Sequence, residues 1–213
     1  MLRKNRGKLL LSCAVTLLPC LIGLALWPQL PDEMPIHFGP TGMTDGWAGK
    51  ALAVFGFPLS LLAAHLICIF CTLNDPKREN IGKKPLALLF WLIPATSLIV
   101  NVCLYAYALN MQINMATICT FLMGLIFLVT GNILPKLQQN YTFGIKVSWA
   151  LDDPENWAAT HRMGGWCWAV TGVLLLTTGF WLPVWLMLVL LTLAVAAPIV
   201  YSYVYYRQHS GQR

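Results

Sequence analysis

The sequence predicts an all-α integral membrane protein with six transmembrane helices, N-terminus and C-terminus both cytoplasmic, and short extended segments in its loops. Three observations carry this. Hydrophobic residues make up 58% of the chain, charged residues only 10%, and mean hydropathy is +0.65. The apolar residues fall in runs close to the roughly twenty needed to cross a bilayer. Thirteen of the fourteen Lys and Arg lie between runs on one side, with Lys50 alone on the other, and positive segments are retained in the cytoplasm.

The predicted spans, each free of Asp, Glu, Lys and Arg, are Leu9–Trp27, Ala51–Leu73, Pro85–Leu109, Ala116–Leu134, Met163–Leu182 and Pro183–Tyr203. Arg3, Lys4, Arg6 and Lys8 precede the first, which is long and lacks a small-residue cleavage site, so it reads as a retained helix. The last two join at Trp181-Leu182-Pro183-Val184, where proline makes a break natural. All seven cysteines sit inside spans, where a thiol behaves as a small apolar group, and no disulfide framework is implied. Cys68 and Cys71 form C-x-x-C without a second ligand pair. The chain divides into an N-terminal three-helix half, 1–110, with outer loop 28–50, and a C-terminal half, 111–213, with inner loop 135–162.

Prolines 28, 31 and 35 and glycines 39, 42, 46 and 49 forbid a long helix in the outer loop. Ile36 and Phe38 alternate with His37, as in a short strand entering the turn Gly39-Pro40-Thr41-Gly42. The inner loop shows two periods. From Thr142 to Trp149, Phe143, Ile145, Val147 and Trp149 alternate with polar residues and glycine, the period of an extended strand with one covered side. Asp153-Pro154-Glu155 then supplies an N-cap, a first-turn proline and a first-turn acid. On the helix that follows, Trp157 and His161 share a face, and Gly164 and Gly165 lie at the membrane entry. Gly165, Gly172 and Gly179 recur every seven residues, and Gly124 and Gly131 repeat that spacing in the fourth span, which predicts backbone-close packing of the two helices.

These residues resemble a known family. Pro35, His37, Phe38, Gly42, Asp45 and Lys50 are similar to the P-x-H-aromatic…G…D…K segment of the bacterial SdpI membrane-protein family, named for immunity to a sporulation-delaying peptide toxin. Asn140, Gly144-Ile145-Lys146, Trp149, Leu151, Trp157, His161-Arg162 and Gly164-Gly165 resemble its second signature, with Lys146 and Val147-Ser148 standing where the family has arginine and Thr-Pro. Lysine keeps the charge and loses the planar bidentate fork. The resemblance implies a multi-pass protein of the bacterial cytoplasmic membrane that protects against a membrane-active peptide toxin. It further implies a sensor that holds a soluble transcriptional repressor at the inner face. No cofactor, metal or direct nucleic-acid contact is implied.

Candidate residues follow from topology. His37, Phe38, Asp45, Trp47 and Lys50 face the toxin's side, against the plainer reading that His37 and Asp45 satisfy each other within a folded turn. Zinc there would need a third ligand from Asp32 or Glu33. Asn140, Gly144, Lys146, Trp149, Trp157, His161, Arg162, Gly164 and Gly165 are relay or partner candidates, against the reading of an amphipathic plug with interfacial tryptophans. Within the spans His65, Asn101 and Asn132 should face helix interfaces. No intramembrane carboxylate accompanies them, which argues against an ion-coupled transporter. The competing class is a small-substrate transporter or a membrane enzyme using His37/Asp45, or His161 with Asp152 and Asp153. H-E-x-x-H, G-x-S-x-G and P-loop motifs are all missing, and no nucleophile with a positioned base is visible.

Overall fold

The computed structural model describes residues 2–39 and 42–209. The chain folds as two compact units, residues 1–73 with 87–119 and residues 74–86 with 120–213.

The first unit is built on three helices. Helix α1 (Leu2–Ala25) contains Pro19, and α2 (Phe57–Leu73) follows a π-helical turn over Leu52–Gly56. Pro58 has no N–H for the Val54 carbonyl four residues back, and Cys20 Sγ approaches that carbonyl at 3.6 Å. Helix α3 (Lys83–Ala108) ends where Asn110 adopts φ +62°. There Asn110 N–H donates to Tyr107 C=O and Met111 N–H to Ala106 C=O, so asparagine fills the left-handed closing position of a helix C-terminus. Helix α4 (Met115–Ile133) opens on Asn114, whose Oδ1 accepts the Thr117 N–H at 3.1 Å.

A two-stranded antiparallel hairpin, β1 (Glu33–Phe38) and β2 (Thr44–Gly49), joins α1 to α2. It realises the extended outer loop, with register shifts on either side of His37. Gly42 N–H donates to Gly39 C=O at 2.9 Å across the tip, and the expected turn residues Pro40 and Thr41 lie outside the described residues. Beneath the hairpin Leu30 and Met34 join Ala53, Val54 and Tyr105 in a buried apolar cluster. Below that cluster the helices meet through polar groups: Ser97 Oγ donates to Thr16 C=O, Tyr105 OH to Pro19 C=O, and Ser12 Oγ contacts His65 Nε2, all buried. Hydroxyls paired with carbonyls let polar residues lie inside a span without exposing a dipole to lipid.

In the second unit a 3₁₀ turn (Leu134–Lys136) ends α4, then a short helix α5 (Ser148–Leu151), a long helix α6 (Pro154–Thr178) and α7 (Val184–His209) follow. The glycine periods mesh as expected. A Cβ on Gly172 would lie 2.5 Å from Leu128 N and 2.7 Å from Gly124 O, and one on Gly131 would lie 2.6 Å from Ala169 N. Only hydrogen fits at these crossings, and Phe127 packs on Trp168 beside them with ring centroids 5.0 Å apart.

Among the described residues, five helical stretches are long and apolar enough to cross a membrane: Asn5–Ala25, Leu52–Leu73, Lys83–Ala108, Met115–Lys136 and Val184–His209. The fifth predicted span, Met163–Leu182, differs from the structure at both ends. Its helix starts at Pro154 and stops at Thr178, so nine polar or mixed residues precede the apolar run. The cap is the reason for the early start: Asp153 Oδ1 accepts the Glu155 N–H at 3.0 Å.

The strand expected from Thr142 to Trp149 does not form. Residues 141–147 are irregular, Ser148 begins α5, and the described sheet contains β1 and β2 alone. The alternation in sequence is nonetheless real. Ile145, Val147 and Trp149 are half-buried while Gly144, Lys146 and Ser148 are exposed. One side is covered by packing, but no neighbouring strand supplies a ladder, so side chains and helix groups satisfy the backbone instead.

Candidate functional site

The outer candidates separate into two groups. The His37 imidazole Nδ1 and the Asp45 carboxylate pair across the hairpin, and both side chains remain more than half exposed. Trp47 is also exposed, as are Ile36 and Met43, which were not among the sequence candidates. Phe38 and Lys50 serve the fold. Phe38 meets Tyr107 edge-on with centroids 5.0 Å apart. Lys50 Nζ donates to Trp27 C=O at 3.3 Å, lies 3.1 Å from Asp32 Oδ1 and sits over the Trp27 ring, closing the base of the loop. Asp32 is thereby committed to Lys50, and among the described residues no three His, Cys, Asp or Glu could hold a metal. The hairpin therefore exposes aromatic and aliphatic side chains together with the His37–Asp45 pair.

Among the described residues, the inner segment is organised by residues of the second unit. Asn140 is fully buried. Its Oδ1 accepts the N–H groups of Thr142 and Phe143 at 3.0 and 2.7 Å, while Nδ2 donates to Gln138 C=O at 2.8 Å. An asparagine carbonyl can serve two backbone donors ahead of it in this way, which bends the chain without a glycine. Asp75, in the loop after α2, grips the same bend. Its Oδ2 accepts the Tyr141 N–H and the Thr142 hydroxyl, and its Oδ1 the Lys77 N–H. Gln139 completes the clasp, accepting from Lys77 Nζ at 2.7 Å and donating to the carbonyls of Ala150 and Leu151.

Beyond the bend the chain crosses α6. Gly144 has φ +106°, and a Cβ there would overlap His161 Nε2, so this position needs glycine for both conformation and space. The Ile145 N–H then donates to His161 Nε2 at 3.0 Å. His161 is fully buried, stacks on Trp157 with ring centroids 4.0 Å apart, and pairs through Nδ1 with Trp157 C=O at 2.7 Å. Trp157 in turn donates Nε1–H to Leu137 C=O at 2.9 Å. Because Nε2 must accept, the proton sits on Nδ1 and the imidazole is neutral. Burial pushes His161 below the ordinary histidine range, opposed in part by the Trp157 carbonyl.

Gly164 and Gly165 are buried where the Ile145 and Pro135 side chains press on α6. Trp149 reaches α7, donating Nε1–H to Ser202 Oγ at 3.0 Å. Ser202 donates to Asn156 Oδ1 at 2.8 Å, Thr160 Oγ donates to the same oxygen at 2.9 Å, and Asn156 Nδ2 donates to Ser202 C=O at 3.1 Å. Lys146 and Arg162 remain exposed, with Lys146 Nζ near Thr142 C=O at 3.3 Å. The inner-segment candidates are thus held by residues that the sequence did not single out, among them Asp75, Gln139, Asn156 and Ser202. Asp75 did carry a signal: with Pro76 behind it, it opens the loop as a turn acceptor.

Comparison with known proteins agrees with this geometry. Residues 136–202, which hold the inner segment, α6 and most of α7, match the SdpI/YfhL protein family. Residues 14–62, which include the hairpin, match a domain of unknown function, DUF1648. The chain is 21% identical over 216 residues to "Immunity protein SdpI" of Bacillus subtilis (strain 168), covering 97% of this chain and 99% of the relative. No solved structure matches. Both signatures that carry the resemblance thus fall within matched segments, and the chain is a membrane protein similar to the SdpI family over residues 136–202 and to an SdpI immunity protein along nearly its full length.

Proposed function

We propose that this chain is an immunity protein of the bacterial cytoplasmic membrane, protecting its cell from a membrane-active peptide toxin without catalysis. The similarity to an immunity protein along nearly the full length of both chains carries this reading. Six crossings with both termini inside follow if α6 spans through its apolar part, which begins at Met163. Thirteen of fourteen Lys and Arg then lie inside.

In this topology the hairpin meets the toxin first. Trp47, Ile36 and Met43 supply apolar contact and the His37–Asp45 pair supplies polarity, while Phe38 and Lys50 hold the hairpin in place. The inner segment, 135–162, anchors or relays. If a soluble repressor docks there, exposed Lys146 and Arg162 are the groups that offer it charge.

The test is expression in toxin-sensitive cells with the cognate toxin added. Membrane potential should be retained by the wild type and lost with Trp47→Ala. Killing unchanged by a verified, inserted wild-type protein would refute the immunity reading, whereas protection surviving both His37→Ala and Trp47→Ala would refute the hairpin assignment alone.

A further inference from the structure

We propose that His161 is a proton-released latch: neutral, it holds the inner segment on α6 through the Ile145 N–H, and protonated, it lets that segment go. The geometry makes the two states exclusive. Nε2 accepts the Ile145 N–H at 3.0 Å, and Nδ1 donates to Trp157 C=O at 2.7 Å. A proton taken from water onto the Nε2 lone pair removes the acceptor and sets two N–H groups against each other. Gly144 lies so close to the same nitrogen that a Cβ would overlap it, so the segment is seated directly against the ring edge that takes the proton. Release is therefore by displacement of residues 144–147.

The surrounding charges do not hold an imidazolium in place. On the inner segment, Lys146 is exposed and directed to Thr142 C=O. On α6, Asp153 caps the helix, and Glu155 and Arg162 are exposed. On the 3₁₀ turn Lys136 binds Asn132, and on the loop after α2 Lys77 binds Gln139 and Asp75 binds the backbone and hydroxyl of 141 and 142. On α7 the titratable groups, Tyr201, Tyr203, Tyr205, Tyr206, Arg207 and His209, all lie past Pro198, the residue that faces Gly164. Among the described residues no carboxylate bonds the ring. Burial already favours the neutral form, so the released state, with the ring in water, takes up the proton first. His161 precedes the apolar part of α6, where protons arrive from the aqueous side rather than through lipid.

The experiment is hydrogen exchange on the whole protein in lipid nanodiscs, read at the Ile145 amide and corrected for intrinsic exchange chemistry. Protection should fall about tenfold or more between about pH 7.5 and about pH 5, with the Asn140-bound amides of 142 and 143 changing less. In His161→Gln the pH dependence should vanish at whatever level of protection remains. Wild-type protection that is flat across this range, or a pH dependence that persists in His161→Gln, overturns the latch. Nitrogen NMR of the wild-type histidines provides a second readout independent of that variant's folding. A doubly protonated His161 with Ile145 still protected also overturns it, and a ring that stays singly protonated until protection is lost supports it.

Discussion

The Thr142 hydroxyl donates to Asp75 Oδ2 at 2.6 Å, and the neighbouring Tyr141 N–H reaches the same oxygen at 2.9 Å. Asp75 is thus the point at which the loop after α2 takes hold of the inner segment, sixty-six residues further along the chain. Asp75→Ala removes the acceptor for three donors, and leaving buried donors unmade costs about 1–3 kcal/mol. We expect a lower melting temperature in detergent and faster amide exchange over 140–143, with exchange in the β1–β2 hairpin unchanged. Equal loosening of both regions would sink the local account.

The glycine seam sets a second expectation. Gly172→Val places branched carbon against Leu128 N and Gly124 O, which are backbone atoms and cannot rotate away. Steric overlap of this kind costs about 1–3 kcal/mol or more, so the variant should express poorly or melt well below wild type. Gly49→Ala, where nothing lies within 4 Å, should be silent in the same assay.

Ser202→Ala takes the acceptor from Trp149 Nε1 and one of two donors from Asn156 Oδ1. Trp149→Phe removes one hydrogen bond and should cost about 1 kcal/mol, while Asn156→Ala breaks contacts to both Ser202 and Thr160 and should cost more. Thermal unfolding of the three variants checks the order; Trp149→Phe as the most damaging would contradict it.

The pH dependence of stability has a definite sign. His161 is depressed in the fold relative to its ordinary value, so the unfolded chain binds the proton first. Its contribution to stability is complete above about pH 6.5 and is lost as pH falls toward the folded value. Denaturation midpoints measured through this window should decline in the wild type and decline less in His161→Gln. A midpoint that rises on acidification would show that the ring is bound as a cation.

Asp153→Ala should cost about 1 kcal/mol in thermal unfolding, since the Asp153 side chain caps α6. This cap was legible because Asp-Pro-Glu has one common use, the start of a helix, and that use depends on the backbone immediately ahead. The Trp157–His161 stack followed from four-residue spacing for the same reason. The glycine seam was legible too, because a period of seven on two helices leaves little choice of facing surface. Thr142–Trp149 misled because alternation records which side is covered, whereas a strand also needs a neighbour to pair with. His161 Nε2 and the Asn140 side-chain carbonyl meet the backbone of this stretch, and no described strand does.

Composition and the placement of Lys and Arg determined by themselves that the chain is helical and membrane-embedded, because partition into a bilayer depends on runs of residue type rather than on which residues touch. Local motifs also determined the short strand entering the outer turn, the α6 cap and the shared face of Trp157 and His161. Only the tertiary structure decided that Phe38 and Lys50 brace the hairpin while Trp47 faces out, and that Asp75, Asn156 and Ser202 hold the inner segment. Those roles arise from donors and acceptors dozens of residues apart, whose pairing exists only once helices have packed.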